Sequence, residues 1–261
     1  MKFLIEYKNK NGEKEISIEN RITIEIIEKN KYIHSYKLVS FEDLQIENDY
    51  SSYIPLGDIP FVDKWLQVYK GIERQYPIEI PEILRTEEFL KREYKYIKHE
   101  DIPKQGNYFL KDISQLKVFS FSGYMEHIAK DLLPPDHLYQ LSENVDILAE
   151  YRVYIISGKI HSISQYDGNP GIFPDMSVIN KANFIYSRMP DYPRSYTMDI
   201  MITEKGTSII EIHPFNCVGF YTTLFGNELI DAYKDWLDYI LKHNKQIKIW
   251  TKKEHYLQTA K

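Results

Sequence analysis

Three side chains between residues 199 and 213 have the types and spacing of a metal site. Asp199 lies inside the apolar run "YTMDIMI", and Glu211 and His213 lie inside a second one, "SIIEIHPF". Because side chains on a strand alternate between its two faces, Glu211 and His213 are expected on the same face. If the chain reverses at "TEKGT" with Gly206 in the turn, Asp199 lies across from them. Carboxylate oxygens suit Mg²⁺ or Mn²⁺, whose coordination is usually completed by substrate phosphates.

The alternative is a hairpin whose polar residues simply face solvent. The neighbours of all three candidates are apolar, which predicts that both faces of the hairpin are largely buried. Buried acids need a cationic partner. The pattern therefore favours a metal site with Asp199, Glu211 and His213 as ligands, although a histidine beside Pro214 could also merely end a strand.

Two lysines are candidates for binding phosphate. Lys111 ends the short apolar segment "NYFLK", and Lys117 follows in "SQLKVFSFSG". Lysines at strand ends near a nucleotide can neutralise phosphate charge. An exposed lysine at a strand end is more common than a ligand, so these two residues alone do not predict a site.

Two glutamates and an arginine form a further group of candidates in "LYQLSENVDILAEYRVYIISG". Glu143 ends one predicted strand, and Glu150 enters the next one, where Arg152 shares its face. The backbone of such a strand connection can bind an adenine ring while a carboxylate binds the two ribose hydroxyls. The alternative is a surface Glu–Arg pair, which contributes less than about 1 kcal/mol to stability.

The composition excludes several classes of function. The 261 residues carry a net charge of -5, so the basic excess of a nucleic-acid surface is missing and no such partner is expected. The single cysteine, Cys217, cannot form an internal disulfide and is expected to be a packed thiol, and the eight histidines lack zinc-site spacing. No signal peptide and no apolar run of the roughly 18 residues of a membrane span is recognised. We expect a cytoplasmic protein without a membrane partner, and its oligomeric state is left open.

The elements that must position these residues fall into two predicted units. Residues 1–98 form a smaller unit, with a soft boundary near 95–103, in which "MKFLIEYKN" and "EISIENRITIEIIEKN" predict strands. A helix is predicted after "YIPLGD", with Asp58 as its N-cap. In residues 99–261, strands and hairpins alternate with a short helix "YMEHIAKDLL", a helix capped by Asp175 and an amphipathic helix over 227–244. This mixture predicts an α+β fold.

The ordered set of candidates resembles the ATP-grasp superfamily. In that family a lysine on a strand comes first, followed by an adenine-binding hinge with two spaced glutamates. A strand with an arginine follows, then an Asp on one strand and a Glu-x-Asn pattern on the next. Here these positions are held by Lys111, Glu143 with Glu150, "EYRVYIISGKI", Asp199 and Glu211. The segments "YIPLGDIPFV", "FLKDISQLKVFSFSG" and "NCVGFY" are similar more specifically to the small R2K-type proteins, over roughly residues 53–222.

The resemblance implies an ATP-grasp fold, in which two α+β lobes over residues 99–261 hold ATP between them, behind a smaller N-terminal α/β domain over residues 1–98. It implies the cofactors ATP and Mg²⁺ or Mn²⁺, and a reaction in which a carboxylate takes the γ-phosphoryl group and an amine then displaces phosphate. The substrates would be small-molecule or peptide carboxylates and amines.

The resemblance also implies roles for particular residues. Asp199 and Glu211 would hold the metals that bridge the β- and γ-phosphates. The lysines, Lys111 and Lys117, would bind phosphate oxygens, Glu143 with the hinge would bind adenine, and Glu150 would bind ribose. The guanidinium of Arg152 or Arg194 would stabilise the acyl-phosphate or the acceptor carboxylate.

The sequence departs from the family pattern at two positions. His213 stands where the third metal ligand is usually Asn; an imidazole suits softer ions better than Mg²⁺, and its protonation would repel a metal, so acid should reduce activity. Asn216, three residues later, is an alternative ligand. Asp112 follows the strand lysine, where Pro is frequent, and this change is expected to be tolerated because the Pro makes no contact with ATP.

Two other functions are compatible with the same residues. One is kinase-type phosphoryl transfer on the same scaffold, which would yield a phosphorylated product and no amide. The other is an ATP-binding sensor or partner protein with little turnover, for which the His213 departure is the best support.

Overall fold

The structure is a computed structural model that describes residues 1–75, 77–115, 118–221 and 225–249, with side chains described as far as His243. The strands are Lys2–Glu6 (β1), Lys8–Lys10 (β2), Glu13–Glu15 (β3), Ser35–Val39 (β4), Ile54–Leu56 (β5), Tyr94–Lys98 (β6), Asn107–Asp112 (β7), Ser120–Tyr124 (β8), Leu138–Glu143 (β9), Ala149–Ile156 (β10), Lys159–Gly168 (β11), Tyr196–Thr203 (β12) and Gly206–Pro214 (β13). The helices are Ile18–Lys29 (α1), Ile59–Lys70 (α2), Glu87–Leu90 (α3), Met176–Tyr186 (α4) and Glu228–Ile249 (α5). Antiparallel sheets and separate helices together confirm the predicted α+β class.

The N-terminal part is built on a three-stranded parallel sheet in the order β4-β1-β5. After β5, Asp58 caps α2 as predicted, because its carboxylate accepts a hydrogen bond of 3.0 Å from the Phe61 amide. The helix ends at Gly71, whose φ of 63° lies in the left-handed region that glycine adopts without strain. Helix α2 is therefore capped at both ends, and its N-cap fixes the loop that connects it to β5.

A helix replaces one of the predicted strands, so the prediction over residues 15–30 was wrong in this part. Helix α1 begins after Ser17, whose hydroxyl accepts a hydrogen bond of 3.2 Å from the Asn20 amide. Alternating isoleucines suggested a strand, but the buried side chains include Asn20, Thr23 and Ile27, which are three and four residues apart. The cap and this helical spacing together outweigh the alternation.

The second sheet is antiparallel in the order β6-β9-β7-β8. β6 lies on the N-terminal side of the predicted boundary after residue 98 yet pairs with β9, and the boundary itself stays a prediction. The predicted helix over 124–133 was wrong, since Met125–His127 and Lys130–Leu132 form two separate 3₁₀ turns. Ile128 between them is extended, which lets Met125, Ile128 and Leu133 all reach one apolar cluster.

The third sheet is antiparallel in the order β11-β10-β12-β13, and it carries most of the candidate residues. One of its faces packs against α4 through side chains such as Val153, Met198 and Ile212. Asp175 caps α4 as predicted by accepting from the Ser177 amide at 2.8 Å. The predicted hairpin over 195–213 is the pair β12 and β13.

The last helix, α5, packs back onto the N-terminal sheet. Leu229 and Tyr233 join a cluster with Phe3, and Trp236 joins a second cluster with Trp65. α5 runs to Ile249 instead of ending at residues 243–244, since the lysines and glutamine that follow are good helix formers and provide no stop. Among the described helices, none has the length and apolar character needed to cross a bilayer.

Candidate functional site

A row of charged residues crosses the third sheet on the face opposite α4. Arg152 on β10 pairs in register with Asp199 on β12, which pairs in turn with Glu211 on β13. Directly paired residues of an antiparallel sheet share a face, and their Cβ atoms lie about 5 Å apart. The three side chains are therefore brought together by strand pairing alone.

A β-bulge in β13 decides which residue faces Asp199. Ile200 pairs with Ile209, but Asp199 pairs with Glu211, so Ile210 is the extra residue. In an unbroken ladder Asp199 would pair with Ile210, and Glu211 would point to the core face. The bulge thus moves the Glu211 carboxylate to the same side of the sheet as Asp199.

The predicted metal ligands converge. Asp199, Glu211 and His213 each offer one ligand atom, and these atoms lie within 4.8 Å of one another. His213 Nε2 is 2.5 Å from Glu211 Oε1. Asp199 and His213 are almost fully buried, and Glu211 is partly exposed. Two carboxylates and an imidazole fit Mn²⁺ well, and they fit Mg²⁺ through their oxygens.

Each carboxylate has a cationic neighbour. Asp199 accepts two hydrogen bonds from Arg152, at 2.8 Å from Nε and 2.7 Å from Nη2. Glu211 accepts from the Lys111 ammonium and lies beside His213. Burial alone would raise the pKa of Glu211, but its contacts with His213 and Lys111 outweigh this effect and lower that pKa below its ordinary value. Glu211 is thus held in its charged form, ready to coordinate a cation.

Lys111 reaches this site from the other sheet. It lies on β7 of the second sheet, whereas Glu211 lies on β13 of the third. A second contact of this kind joins Glu143 at the end of β9 to Lys205 in the β12–β13 turn, at 3.2 Å. The two ion pairs join β7 and β9 of the second sheet to β13 and the β12–β13 turn of the third, and we refer to the region between these two sheets as the cleft.

Glu150 binds a tyrosine and makes no ion pair with Arg152. The Tyr166 hydroxyl donates to Glu150 Oε2 at 2.5 Å, and the Tyr166 ring stacks on Tyr221 with centroids 4.9 Å apart. Arg152 lies against both rings, 5.7 Å from Tyr166 and 5.0 Å from Tyr221. Burial raises the pKa of Glu150, and the Tyr166 hydrogen bond opposes that rise.

Two other candidates do not join the group. Arg194 donates to the Ser157 carbonyl at 3.3 Å, at the turn between β10 and β11, and it has no described contact with Asp199 or Glu211. Lys117 lies outside the described residues.

The proposed alternative ligand and the cysteine lie together. Asn216 donates to Gln75 at 3.3 Å and lies 3.0 Å from the Cys217 sulfur. Cys217 is partly buried, and its sulfur lies 3.4 Å from the Gly57 carbonyl oxygen. Asn216 therefore faces the N-terminal part of the molecule.

The sequence pattern missed several residues at this site. Tyr166 and Tyr221 are two of 22 tyrosines; no local pattern marks Tyr166, and the segment "NCVGFY" contained Tyr221 without giving it a role. Gly219 accepts hydrogen bonds through its carbonyl from Arg152 at 3.1 Å and from Tyr154 at 3.0 Å. The segment "NCVGFY" contained this residue but gave no reason for a carbonyl there.

A cavity of about 700 Å³ adjoins the charged row. It lies between the starts of α1 and α2 on one side and residues 216–219 on the other, so it shares Gly219 with Arg152. Glu6, at the end of β1, lines the cavity and is 7% exposed. Its Oε2 accepts from the Asp58 amide at 2.7 Å, and burial raises its pKa.

The buried Glu6 carboxyl predicts a change of stability with pH. A carboxyl whose pKa is raised on folding binds a proton more tightly in the native state, so stability falls as pH rises from its ordinary value near 4.5 through the raised one. Glu6→Gln should therefore flatten this part of the curve and raise the free energy of unfolding at pH 7. Urea unfolding between pH 4 and 8 measures it, with Glu126→Gln, at an exposed glutamate, as the control. Equal curves for Glu6→Gln and the parent would show that Glu6 ionises as easily in the folded protein as in water.

The comparisons with known proteins agree on one fold. A family model described as "ATP-grasp domain, R2K clade family 2" matches residues 89–231. Among solved structures, a RimK-domain ATP-grasp protein from Sphaerobacter thermophilus DSM 20745 is similar over 92% of this chain and 100% of its own, with a TM-score of 0.55 and 13% identity. The D-alanine–D-alanine ligase of Bacillus anthracis complexed with ATP gives a TM-score of 0.50 at 15% identity, over 95% of this chain and 98% of the ligase. A D-cycloserine synthetase gives 0.51 at 8%, over 94% and 100%.

A search of curated proteins finds no match. At 8–15% identity, the solved structures establish the fold only. This fold is the one that the resemblance of the sequence motifs, in their order along the chain, implied.

Proposed function

This chain belongs to the R2K clade of the ATP-grasp superfamily, and from that premise we propose that it is an ATP-dependent carboxylate–amine ligase. A carboxylate oxygen of one substrate attacks the γ-phosphorus of ATP, and the bond from that phosphorus to the β,γ-bridging oxygen breaks, which releases ADP. The nitrogen of an amine then attacks the acyl carbon, phosphate leaves with the C–O electrons, and the amide is formed with loss of one proton from nitrogen.

The observation that carries this proposal is the meeting of Lys111 with Glu211 across the cleft. A lysine on one sheet and a carboxylate on the other are the two charges needed at opposite sides of a metal–triphosphate. In this structure they form an ion pair and neutralise each other. We expect nucleotide binding to separate them, so that Lys111 binds phosphate oxygens.

The residues present fit a divalent metal. Asp199, Glu211 and His213 would hold it, and a bound ion would offset the negative charge that builds up between the β- and γ-phosphates. Arg152 keeps the Asp199 carboxylate oriented through two hydrogen bonds. Its guanidinium would also stabilise the acyl-phosphate. Arg194 lies at a turn and would need to act on a part of the acceptor that reaches it.

The remaining assignments concern the nucleotide. Glu143 and the connection from β9 to β10 would bind adenine, since this connection joins the two sheets. Glu150 would bind the ribose hydroxyls after exchanging its Tyr166 partner for them. Lys117 keeps its predicted phosphate role as a proposal from sequence.

The cavity beside Gly219 is the proposed entry for the amine substrate. Its lining carries the acidic residues Glu6, Glu15, Glu19 and Asp58 and the single lysine Lys8. Lys8 is already paired with Asp58 at 2.7 Å, so the lining favours a positively charged group. An amine-bearing small molecule or peptide end would bind there next to Arg152.

A direct assay tests the proposed reaction. The protein with ATP, Mg²⁺ and pools of amino acids or short peptides should release ADP and phosphate, and mass spectrometry should detect a product that is lighter than its two precursors by one water. A phosphorylated product without an amide would identify a kinase instead. Failure of any nucleotide to bind would contradict the proposal.

A second candidate function is ATP binding with little turnover. It is favoured by the ion pairs that neutralise both carboxylates and by His213 at the third ligand position. For this function, nucleotide affinity would survive Asp199→Asn, and the parent protein would release no ADP.

A further inference from the structure

The metal site depends on the single extra residue in β13. The turn between Thr203 and Gly206 sets a register in which Ile200 pairs with Ile209. Only the bulge at Ile210 brings Glu211 opposite Asp199. A one-residue change of register moves every following side chain to the other face of a strand. Something must therefore hold this bulge in place.

One buried arginine contacts the bulge directly. Arg92 lies between α3 and β6 and is 8% exposed. Its Nη1 donates to the Ile209 carbonyl at 2.8 Å, and its Nη2 is 3.4 Å from the Ile210 carbonyl oxygen. A third bond, of 3.1 Å, goes from Nη1 to Leu90 in its own segment. The guanidinium thus links the two bulge residues to the chain that enters the second sheet.

The position of β13 explains why an arginine is used. β13 is the edge strand of its sheet, and on its outer side the described part of the chain pairs with it only through a bridge from Ile212 to Ile78. Bulged carbonyls that are buried without a donor would cost about 1–3 kcal/mol each. A planar guanidinium carries donors in a fixed fork that spans two adjacent carbonyls, which a lysine ammonium does not.

Among the described residues, no carboxylate is hydrogen-bonded to Arg92. Its described hydrogen bonds all go to backbone carbonyls, and the Tyr94 ring lies 5.7 Å from its guanidinium. A buried cation is costly to keep in this way, and burial lowers the pKa of Arg92. An apolar side chain would fill this space at a lower desolvation cost. The hydrogen bonds from Arg92 to the bulge carbonyls are therefore the contacts that account for a buried arginine here.

We propose that Arg92 is a positioning residue that fixes the β13 bulge and thereby places Glu211 opposite Asp199 for metal binding. The inference rests on the proposed function only for the metal; the dependence of the strand register on Arg92 stands without it.

The test compares Arg92→Met with Arg92→Lys. Methionine has similar length and no donor, and lysine keeps the charge but not the fork. For both variants, the affinity for a non-hydrolysable ATP analogue is measured with and without Mn²⁺. Loss of a residue that orients ligands typically weakens metal binding about 10- to 100-fold. We expect Arg92→Met to reduce the Mn²⁺-dependent gain in nucleotide affinity by this factor, Arg92→Lys to reduce it less, and metal-free nucleotide affinity to be unchanged in both.

A matched control separates positioning from general stability. Arg85→Met removes a half-buried arginine that packs on the Tyr96 ring in the same stretch of chain. It should lower the melting temperature without changing the Mn²⁺-dependent gain. If Arg92→Met merely lowers the melting temperature in the same way, the proposal is overturned.

Deletion of Ile210 gives an independent test. In a chain without Ile210, Asp199 pairs with Glu211 in an unbroken ladder. No bulge is left for Arg92 to stabilise. In that background, Arg92→Met should no longer reduce the Mn²⁺-dependent gain. An equal loss in both backgrounds would contradict the proposal.

Backbone NMR measures the strand pairing itself. It therefore tests the role of Arg92 even if the protein binds no metal or the deletion variant fails to fold. The parent should show cross-strand contacts that pair Asp199 with Glu211, and folded Arg92→Met should show mixed or shifted pairing toward Ile210. Absence of Mn²⁺ binding in the parent with this NMR result would refute the proposed function alone. Unchanged pairing in Arg92→Met would refute the role of Arg92.

Discussion

Glu211→Gln is expected to reduce ATP turnover by about 10²- to 10³-fold, which is the usual cost of removing one group that stabilises transition-state charge. The amide keeps the size of the side chain but has no charge to offer a metal or to hold Lys111 and His213, its two present neighbours. Nucleotide binding without metal should persist, because the adenine and ribose contacts are elsewhere. Steady-state ADP release and nucleotide titrations with and without Mg²⁺ measure the two effects.

The control for this variant lies in the same hairpin. Glu204 is exposed in the turn between β12 and β13, so Glu204→Gln should leave turnover unchanged. Turnover in Glu211→Gln that stays within about threefold of the parent would mean that the carboxylate does not act on the phosphates.

Arg152→Met is expected to lower the free energy of unfolding by about 3–5 kcal/mol, because it leaves a buried carboxylate without its cation. Asp199 is 2% exposed, and both of its oxygens are bonded to Arg152. Asp199→Leu should cost a similar amount by leaving the guanidinium unpaired. The double variant, which replaces the pair with apolar groups, should be much less destabilised than the sum of the two single changes.

Urea unfolding of the four proteins measures this coupling. Lys181→Met serves as the comparison, since the Lys181–Glu88 pair is about half exposed and should contribute less than about 1 kcal/mol. Additive effects of Arg152→Met and Asp199→Leu would contradict the account of a tightly coupled buried pair. Because the double variant lacks a metal ligand, it should fold without turning over ATP.

The candidate site could be predicted only in part, as the hairpin shows. The two apolar runs and the turn between them predicted a hairpin with Asp199 roughly opposite Glu211 and His213, and the structure places their ligand atoms within 4.8 Å of one another. The register that achieves this depends on a bulge, which leaves no mark in a single sequence because Ile209 and Ile210 are chemically the same. The donor that binds the bulge, Arg92, is more than 100 residues away, and no local pattern links them.

The partners of the charged residues were also beyond local reasoning. A surface pair of Glu150 with Arg152 was the alternative to a nucleotide-binding role, because the two residues share a face. In the structure Asp199 lies directly across from Arg152 on the next strand and accepts from its Nε and Nη2. Tertiary pairing of this kind needs the strand order, which alternation does not give.

For the fold, strands such as β7 and β10 and capped helices such as α2 were predicted correctly, because caps and apolar alternation are local signals. Helix α1 was missed where alternation and helical spacing coincide in one isoleucine-rich segment.

The most direct test of the central claim is a crystal structure of the protein with Mg²⁺ and a non-hydrolysable ATP analogue. The account predicts a metal bound by Asp199 and Glu211 against the β- and γ-phosphates, with the Lys111 ammonium moved from Glu211 onto phosphate oxygens. A nucleotide bound outside the cleft between the two antiparallel sheets, or one bound there while Lys111 stays on Glu211 and no metal touches Asp199, would contradict it.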